Sequence, residues 1–142
     1  MKTKYDLACL KTAKVWSQLS SANRKKVGAV VWKNNSIIGI GYNGTPSGFP
    51  NACETLEGLT KPEVLHAESN ALAKVACSTN SSVGATMYIT CSPCVECSKL
   101  IIQCGITRVV YLESYRDAAG IELLQKANIE VYHADEREIQ RW

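Results

Sequence analysis

Two short motifs, His66-Ala67-Glu68 and Pro93-Cys94-Val95-Glu96-Cys97, restrict this chain more than any other feature of it. One imidazole, two thiols and a carboxylate at these spacings suit a single metal ion, yet His66 and Cys94 are 94 − 66 = 28 residues apart. An interval of that length holds a helix and a strand, so the chain has to run out and return beside its starting point to close the site. Zinc bound by three protein ligands keeps a fourth position for water, whereas a structural site normally closes with a fourth Cys or His. His66, Cys94 and Cys97 are therefore the predicted zinc ligands, and Glu68 remains a free carboxylate.

Periodicity fills in the rest of the frame. Leu7, Leu10, Trp16 and Leu19 recur at near-helical spacing, which predicts an opening amphipathic helix over Tyr5 to Leu19. Val27 to Trp32 and Ser36 to Tyr42 are β-rich runs joined by Lys33-Asn34-Asn35, the composition of a hairpin turn. Asn43 to Pro62 opens with Gly44, Pro46, Gly48 and Pro50 and reads as a long loop, a kind of segment that is often functional in a compact domain. A helix over His66 to Cys77 and a buried strand over Met87 to Cys91 follow. Ser92 as N-cap and Pro93 as first helical residue would place Cys94 in the opening turn of a helix reaching Cys104, where the helix dipole favours a thiolate. Thr107 to Leu112 then reads as a strand, Ala118 to Ala127 as a helix and Ile129 to Tyr132 as a last strand. A hairpin followed by β/α alternation predicts an α/β fold, a mixed sheet flanked by helices.

The 142 residues suffice for one domain, taken as 1–142, and no stretch approaches the roughly 20 apolar residues of a membrane span. The N-terminal residues show no long apolar run with a cleavage site, so the expected compartment is the cytoplasm. Cys9, Cys53, Cys77, Cys91 and Cys104 lack the paired spacing of a disulfide framework and are expected to be reduced, mostly buried thiols. The net charge of +3 is modest and dispersed apart from Arg24-Lys25-Lys26, which fits a small anionic ligand better than long nucleic acid.

Bound zinc lowers the pKa of a coordinated water from about 15.7 toward ~7, and so makes a nucleophile at neutral pH. Glu68 is placed to take a proton from that water and return it to ring N3 and to a departing amine. A non-ligating Glu two residues after the His, with Pro-Cys-x-x-Cys further on, is the established pattern of zinc nucleobase deaminases. Neither half is specific alone, since Cys-x-x-Cys also occurs as a redox pair or as half of a structural zinc site. Their order and the Pro before the first Cys carry the reading. Cys91 is expected to be a buried strand-end thiol, and Glu96 a solvated helix residue.

On these motifs, together with Lys26-Val27-Gly28-Ala29-Val30-Val31 and Gly41-Tyr42-Asn43-Gly44-Thr45-Pro46-Ser47-Gly48, the chain resembles the cytidine and deoxycytidylate deaminase superfamily over nearly its whole length. The Tyr-Asn-Gly-x-Pro loop is typical of the deoxycytidylate group, whereas the zinc motif is also shared with free-cytidine, tRNA-adenosine, riboflavin-pathway and polynucleotide deaminases. The resemblance implies a three-layer α/β/α cytidine-deaminase-like fold with a five-stranded mixed sheet. It further implies conversion of dCMP to dUMP with release of ammonia, feeding thymidylate synthesis. Family members commonly form hexamers, and many are activated by dCTP with Mg²⁺ and inhibited by dTTP. Some phage relatives carry a longer insertion holding a second, structural zinc. Here the interval between Gly44 and His66 contains no His, so one zinc per subunit is expected.

By the same resemblance, Asn43 hydrogen-bonds the sugar or base, the Ala67 N–H meets the pyrimidine O2, and the region of Ser92 accepts the amine. Tyr115 borders the nucleotide, and Arg24, Lys26 and Arg116 are the candidate phosphate donors, because charge-assisted bonds to phosphate are strong. A polynucleotide substrate would need a basic groove and exposed aromatics, to which one Phe and three Trp lend little support. A zinc-dependent binding protein without activity is the other alternative, and the intact Glu68 argues against it.

Overall fold

Alternating apolar residues along the middle strands build two cores, one on each face of a single sheet. In the computed structural model, which describes residues 3–141, the elements are α1 (Lys4–Ser17), β1 (Gly28–Lys33), β2 (Ser36–Tyr42), α2 (Ala67–Ala76) and β3 (Thr86–Cys91), followed by α3 (Val95–Gln103), β4 (Arg108–Glu113), α4 (Ala119–Lys126), β5 (Glu130–His133) and α5 (Glu136–Gln140). The five strands lie in the order β2-β1-β3-β4-β5. β1 is antiparallel to β2 and β3, whereas β3, β4 and β5 are parallel. Ala29, Val31, Met87, Ile89 and Val109 pack on one side against Leu72 and Val75 of α2, Ile101 of α3 and Leu124 of α4. Val30, Tyr88, Val110 and Leu112 face the opposite side, against Leu10 and Ala13 of α1 and Ile139 of α5. The fold is thus the three-layer α/β/α arrangement with a five-stranded mixed sheet that the sequence predicts.

Three local differences have physical causes. The hairpin turn narrows to Asn34-Asn35, whose positive φ values of 52° and 61° match the two left-handed positions that a tight hairpin requires and that Asn tolerates. α5 has no counterpart in the sequence reading, because its five residues bury only Ile139 and leave no apolar period to detect. α3 begins later than predicted: Cys94 is its N-cap and Val95 its first residue, not Ser92 and Pro93. The Ser92 hydroxyl is turned instead to the Tyr115 N–H, from which it accepts a hydrogen bond at 2.6 Å.

Two glycines let helices lie close to the segments that carry the motifs. A Cβ on Gly41 of β2 would sit 2.7 Å from the Ala71 nitrogen and 2.9 Å from the Ala67 carbonyl oxygen, so only Gly lets α2 rest on β2 at this distance. A Cβ on Gly120 would sit 2.0 Å from the Pro93 carbonyl oxygen, which ties α4 to the turn preceding α3.

On the other face, α1 is anchored through Asp6. A capping box with Thr3 starts the helix. The buried Asp6 carboxylate also accepts from the Arg108 guanidinium at 2.8 and 2.9 Å and from the Tyr88 hydroxyl at 2.6 Å. Burial alone would raise the Asp6 carboxyl, but the bonds from Arg108, Tyr88 and the Thr3 N–H outweigh it and hold it below the ordinary 3.8. A carboxyl lowered by folding adds stability that is complete above its unfolded value and is lost as pH falls through its folded value. Urea unfolding followed as a function of pH should show that acid loss, and Asp6→Asn should flatten it. At neutral pH the variant should cost about 3–5 kcal/mol, because the Arg108 guanidinium loses the buried carboxylate that it bonds through both terminal nitrogens.

Candidate active site

His66 and Cys94 occupy the N-cap positions of α2 and α3, both in extended backbone conformation, and neither side chain caps its own helix. Side chains at this position usually bond back to the first turn; these two are left free to turn toward each other. Cys97 lies three residues beyond Cys94, one turn along the same helix face. His66 Nδ1 is 3.2 Å from Cys97 Sγ and 3.6 Å from Cys94 Sγ, and the three ligand atoms lie within 4.8 Å of one another. Zn–N and Zn–S bonds of ordinary length place tetrahedral ligands about 3.6 Å apart, so the donor set fits zinc. Among the described residues this cluster has three members and no fourth Cys, His or carboxylate. The Ser69 hydroxyl stands 3.8 Å from Cys97 Sγ.

Glu68 belongs to the first turn of α2, is buried, and stays outside the ligand cluster. Burial raises its carboxyl above the ordinary range, partly offset by its own backbone N–H, the nearby His66 and a bond to Cys97. A carboxyl so held is suited to carry a proton rather than a permanent charge. Burial, then the fields of Glu68 and Cys94, likewise push the Cys97 thiol well up. A dication between the two sulfurs reverses that balance, because a coordinating thiol is deprotonated outright.

These groups open onto a cavity of about 270 Å³. His66, Ala67, Glu68, Cys94, Asn43, Ser92, Tyr115 and Arg24 all line it, so the fold brings together eight of the predicted site residues. Cys97 is buried behind the wall. Lys26 and Arg116 do not line it. Asn43 fixes the backbone on either side of Lys26, taking the Val27 N–H at 2.9 Å and donating to the Lys25 carbonyl at 2.8 Å, and the Lys26 side chain is left exposed. The Ser92 bond to the Tyr115 N–H sets Tyr115 at the cavity and leaves Arg116 exposed beyond it.

Sequence reading missed Lys25 and Glu54, which also form part of the wall. Lys25 sits inside the basic triplet, where only tertiary structure decides which side chain points inward. Glu54 is one of two acids in a long loop, and its partners, the Asn23 and Arg24 amides, lie about thirty residues upstream. Cys91 is buried as expected, yet it too reaches the cavity. The remaining cysteines are free, with Cys9 and Cys53 buried, Cys104 half-buried and Cys77 exposed, and Glu96 is exposed and paired with Lys99.

Comparison with known proteins places these features in a family. Residues 3–113 match the family described as cytidine and deoxycytidylate deaminase zinc-binding region. The chain is 33% identical to the deoxycytidylate deaminase of Enterobacteria phage T4, over 93% of this chain and 91% of that protein. It is 40% identical to the deoxycytidylate deaminase of Mycobacterium phage D29, over 67% of this chain and 84% of the other. Among solved structures, the dCMP deaminase of cyanophage S-TIM5 in complex with dCMP and dUMP superposes with a TM-score of 0.91 at 49% identity, covering 94% of this chain and 99% of that one.

Metal analysis of the purified protein should return one zinc per chain. Cys97→Ser should lower zinc affinity by at least the ~10–100-fold that loss of an outer hydrogen-bond partner costs. Cobalt loading provides a second readout, through the sulfur-to-cobalt charge-transfer band that Cys97→Ser weakens. Because both thiols must lose protons to bind the ion, competition with a chromophoric chelator should show affinity falling as pH falls.

Proposed function

We propose that this chain, which belongs to the cytidine and deoxycytidylate deaminase family, hydrolyses dCMP to dUMP and ammonia. The observation that carries the reading is one cavity lined by His66, Cys94, the non-ligating Glu68 and the exposed Arg24, with Cys97 completing the donor set behind the wall. The 49% identity to a protein crystallised with dCMP and dUMP supports the choice of nucleotide.

Zinc, held by His66, Cys94 and Cys97, supplies the Lewis acidity that makes water nucleophilic near neutral pH. Glu68 takes a proton from the attacking water and delivers it to ring N3. It takes the second water proton as the C4–N bond weakens and passes it to the leaving amine, so water and dCMP become dUMP and ammonia. A carboxyl raised by burial is the better suited to both transfers, because its protonated form costs less than that of an ordinary solvated carboxylate. The Ala67 N–H, in the first turn of α2, is assigned to the pyrimidine O2. Asn43 spends one amide N–H and one oxygen lone pair on backbone and keeps one of each for the sugar or base. Ser92 faces the amine, and Tyr115 covers the nucleotide. Arg24 is assigned to the phosphate ahead of Lys26 and Arg116, which stand outside the cavity wall.

The same reading makes residues 1–142 a single deaminase domain that works as a homo-oligomer, a hexamer by family resemblance, in the cytoplasm. Activation by dCTP with Mg²⁺ and inhibition by dTTP belong to it as well. Among the described residues no helix is long and apolar enough to cross a membrane.

Ammonia release from dCMP, deoxycytidine, CMP and dCTP, each with and without Mg-dCTP or Mg-dTTP, tests substrate and regulation together. Strong preference for dCMP and opposite responses to the two triphosphates are expected; no turnover of any monomer by the zinc-loaded protein would remove this reading. Glu68→Gln should lower kcat by about 10²–10⁴-fold while the zinc content stays at one per chain.

A further inference from the structure

We propose that Glu54 is a positioning residue for the substrate phosphate, acting through the backbone of Arg24; this inference rests on the dCMP reading. Residues 23–26 are exposed, lie outside any helix or strand and carry three consecutive positive charges. Such a run repels itself and gains nothing from a ladder, so its course is set by whatever fastens it. Glu54, from the neighbouring long loop, does this. Its carboxylate accepts from the Asn23 N–H at 3.0 and 3.2 Å and from the Arg24 N–H at 3.3 Å. The loop that carries it is braced in turn, with the Lys61 N–H bonded to the Cys53 carbonyl at 2.8 Å and a bridge between Glu54 and Thr60. Downstream, Asn43 holds Lys25 and Val27, and the Lys25 ammonium pairs with Glu113.

The consequence is a division of labour within the basic run. Two successive amides, those of Asn23 and Arg24, are already occupied by the Glu54 carboxylate. The charge of Lys25 is met by Glu113, so Arg24 is the cation presented to a dianion at the cavity wall. Fixing its backbone before the substrate arrives moves the ordering cost from binding to folding. Charge alone predicts the reverse effect, since a carboxylate near the phosphate weakens its binding. The sign of the Glu54 effect therefore separates positioning from bare electrostatics.

The test is steady-state kinetics of the zinc-loaded full chain with dCMP and deoxycytidine. Glu54→Ala should raise KM for dCMP about tenfold, the scale of one lost charge-assisted hydrogen bond, with the change in KM rather than kcat. The kcat/KM for deoxycytidine, which lacks the phosphate, should not move. Glu54→Gln keeps an oxygen acceptor and should restore most of the KM for dCMP. Hydrogen exchange at the Asn23 and Arg24 amides should quicken in the Ala variant. Arg24→Ala should raise KM for dCMP by itself, and adding Glu54→Ala to it should change little more.

An unchanged KM in Glu54→Ala, a lower KM in both Glu54 variants, an equal loss with deoxycytidine, or an unchanged KM in Arg24→Ala each overturns the proposal. The Arg24 arm keeps the test decisive if Glu54→Ala does not fold. Wild-type protein that fails to prefer dCMP over deoxycytidine overturns the dCMP reading itself, a result visible before any variant is compared.

Discussion

The 3.2 Å approach of His66 Nδ1 to Cys97 Sγ depends on two helices, distant in sequence, starting beside each other above one end of the sheet. Two helix N-termini present partial positive charge and unpaired amides to the same small volume. That field favours thiolates and a metal-assisted reaction, and it leaves the N-cap side chains as the natural ligands. The cost is two helix starts without side-chain caps. Tight packing keeps the pair in place: α2 lies on β2 across Gly41, and α4 lies under the Pro93-Cys94 turn across Gly120.

From that junction the other parts of the site follow by short covalent steps. Glu68 is two residues past a ligand and in the first turn of α2, so it cannot leave the neighbourhood of the donor set, and its burial raises its carboxyl. Ser92 precedes Pro93 and uses its hydroxyl to hold the Tyr115 amide, which links the end of β3 to the loop after β4. The wall opposite is made differently. It comes from the segment between α1 and β1 and from the long loop after β2, neither of which has regular structure, and side chains do the fastening that a ladder would do elsewhere. The end of the cavity that carries His66, Cys94 and Glu68 is thereby built on helices, and the part that carries Arg24 on side-chain bonds to exposed backbone.

Much of this was legible in the residues. The strands announced themselves by alternation, because each has one set of side chains for each core, and Val30 and Val31 on β1 face opposite helices. The ligands and Glu68 were legible because the chemistry of zinc needs those donor types at short local spacings. The start of α3 was misread because a Ser-Pro pair has the composition of a helix cap, whereas the Ser92 hydroxyl had a partner that sequence spacing does not reveal. Lys25 and Glu54 were missed for the same kind of reason: their roles are relations between segments about thirty and ninety residues apart.

What the sequence determined by itself is therefore the local: helix and strand periods, donor identity at the metal, and the free carboxylate two residues from His66. These follow from bond geometry and side-chain chemistry within a few residues, which no partner elsewhere can alter. Only the tertiary structure decided that Arg24 and Lys25, and not Lys26, line the cavity, what holds that segment in place, and that Asn43 is half spent on backbone. Exposed loops carry no period, and their conformation is set by whichever distant group satisfies their backbone amides and carbonyls.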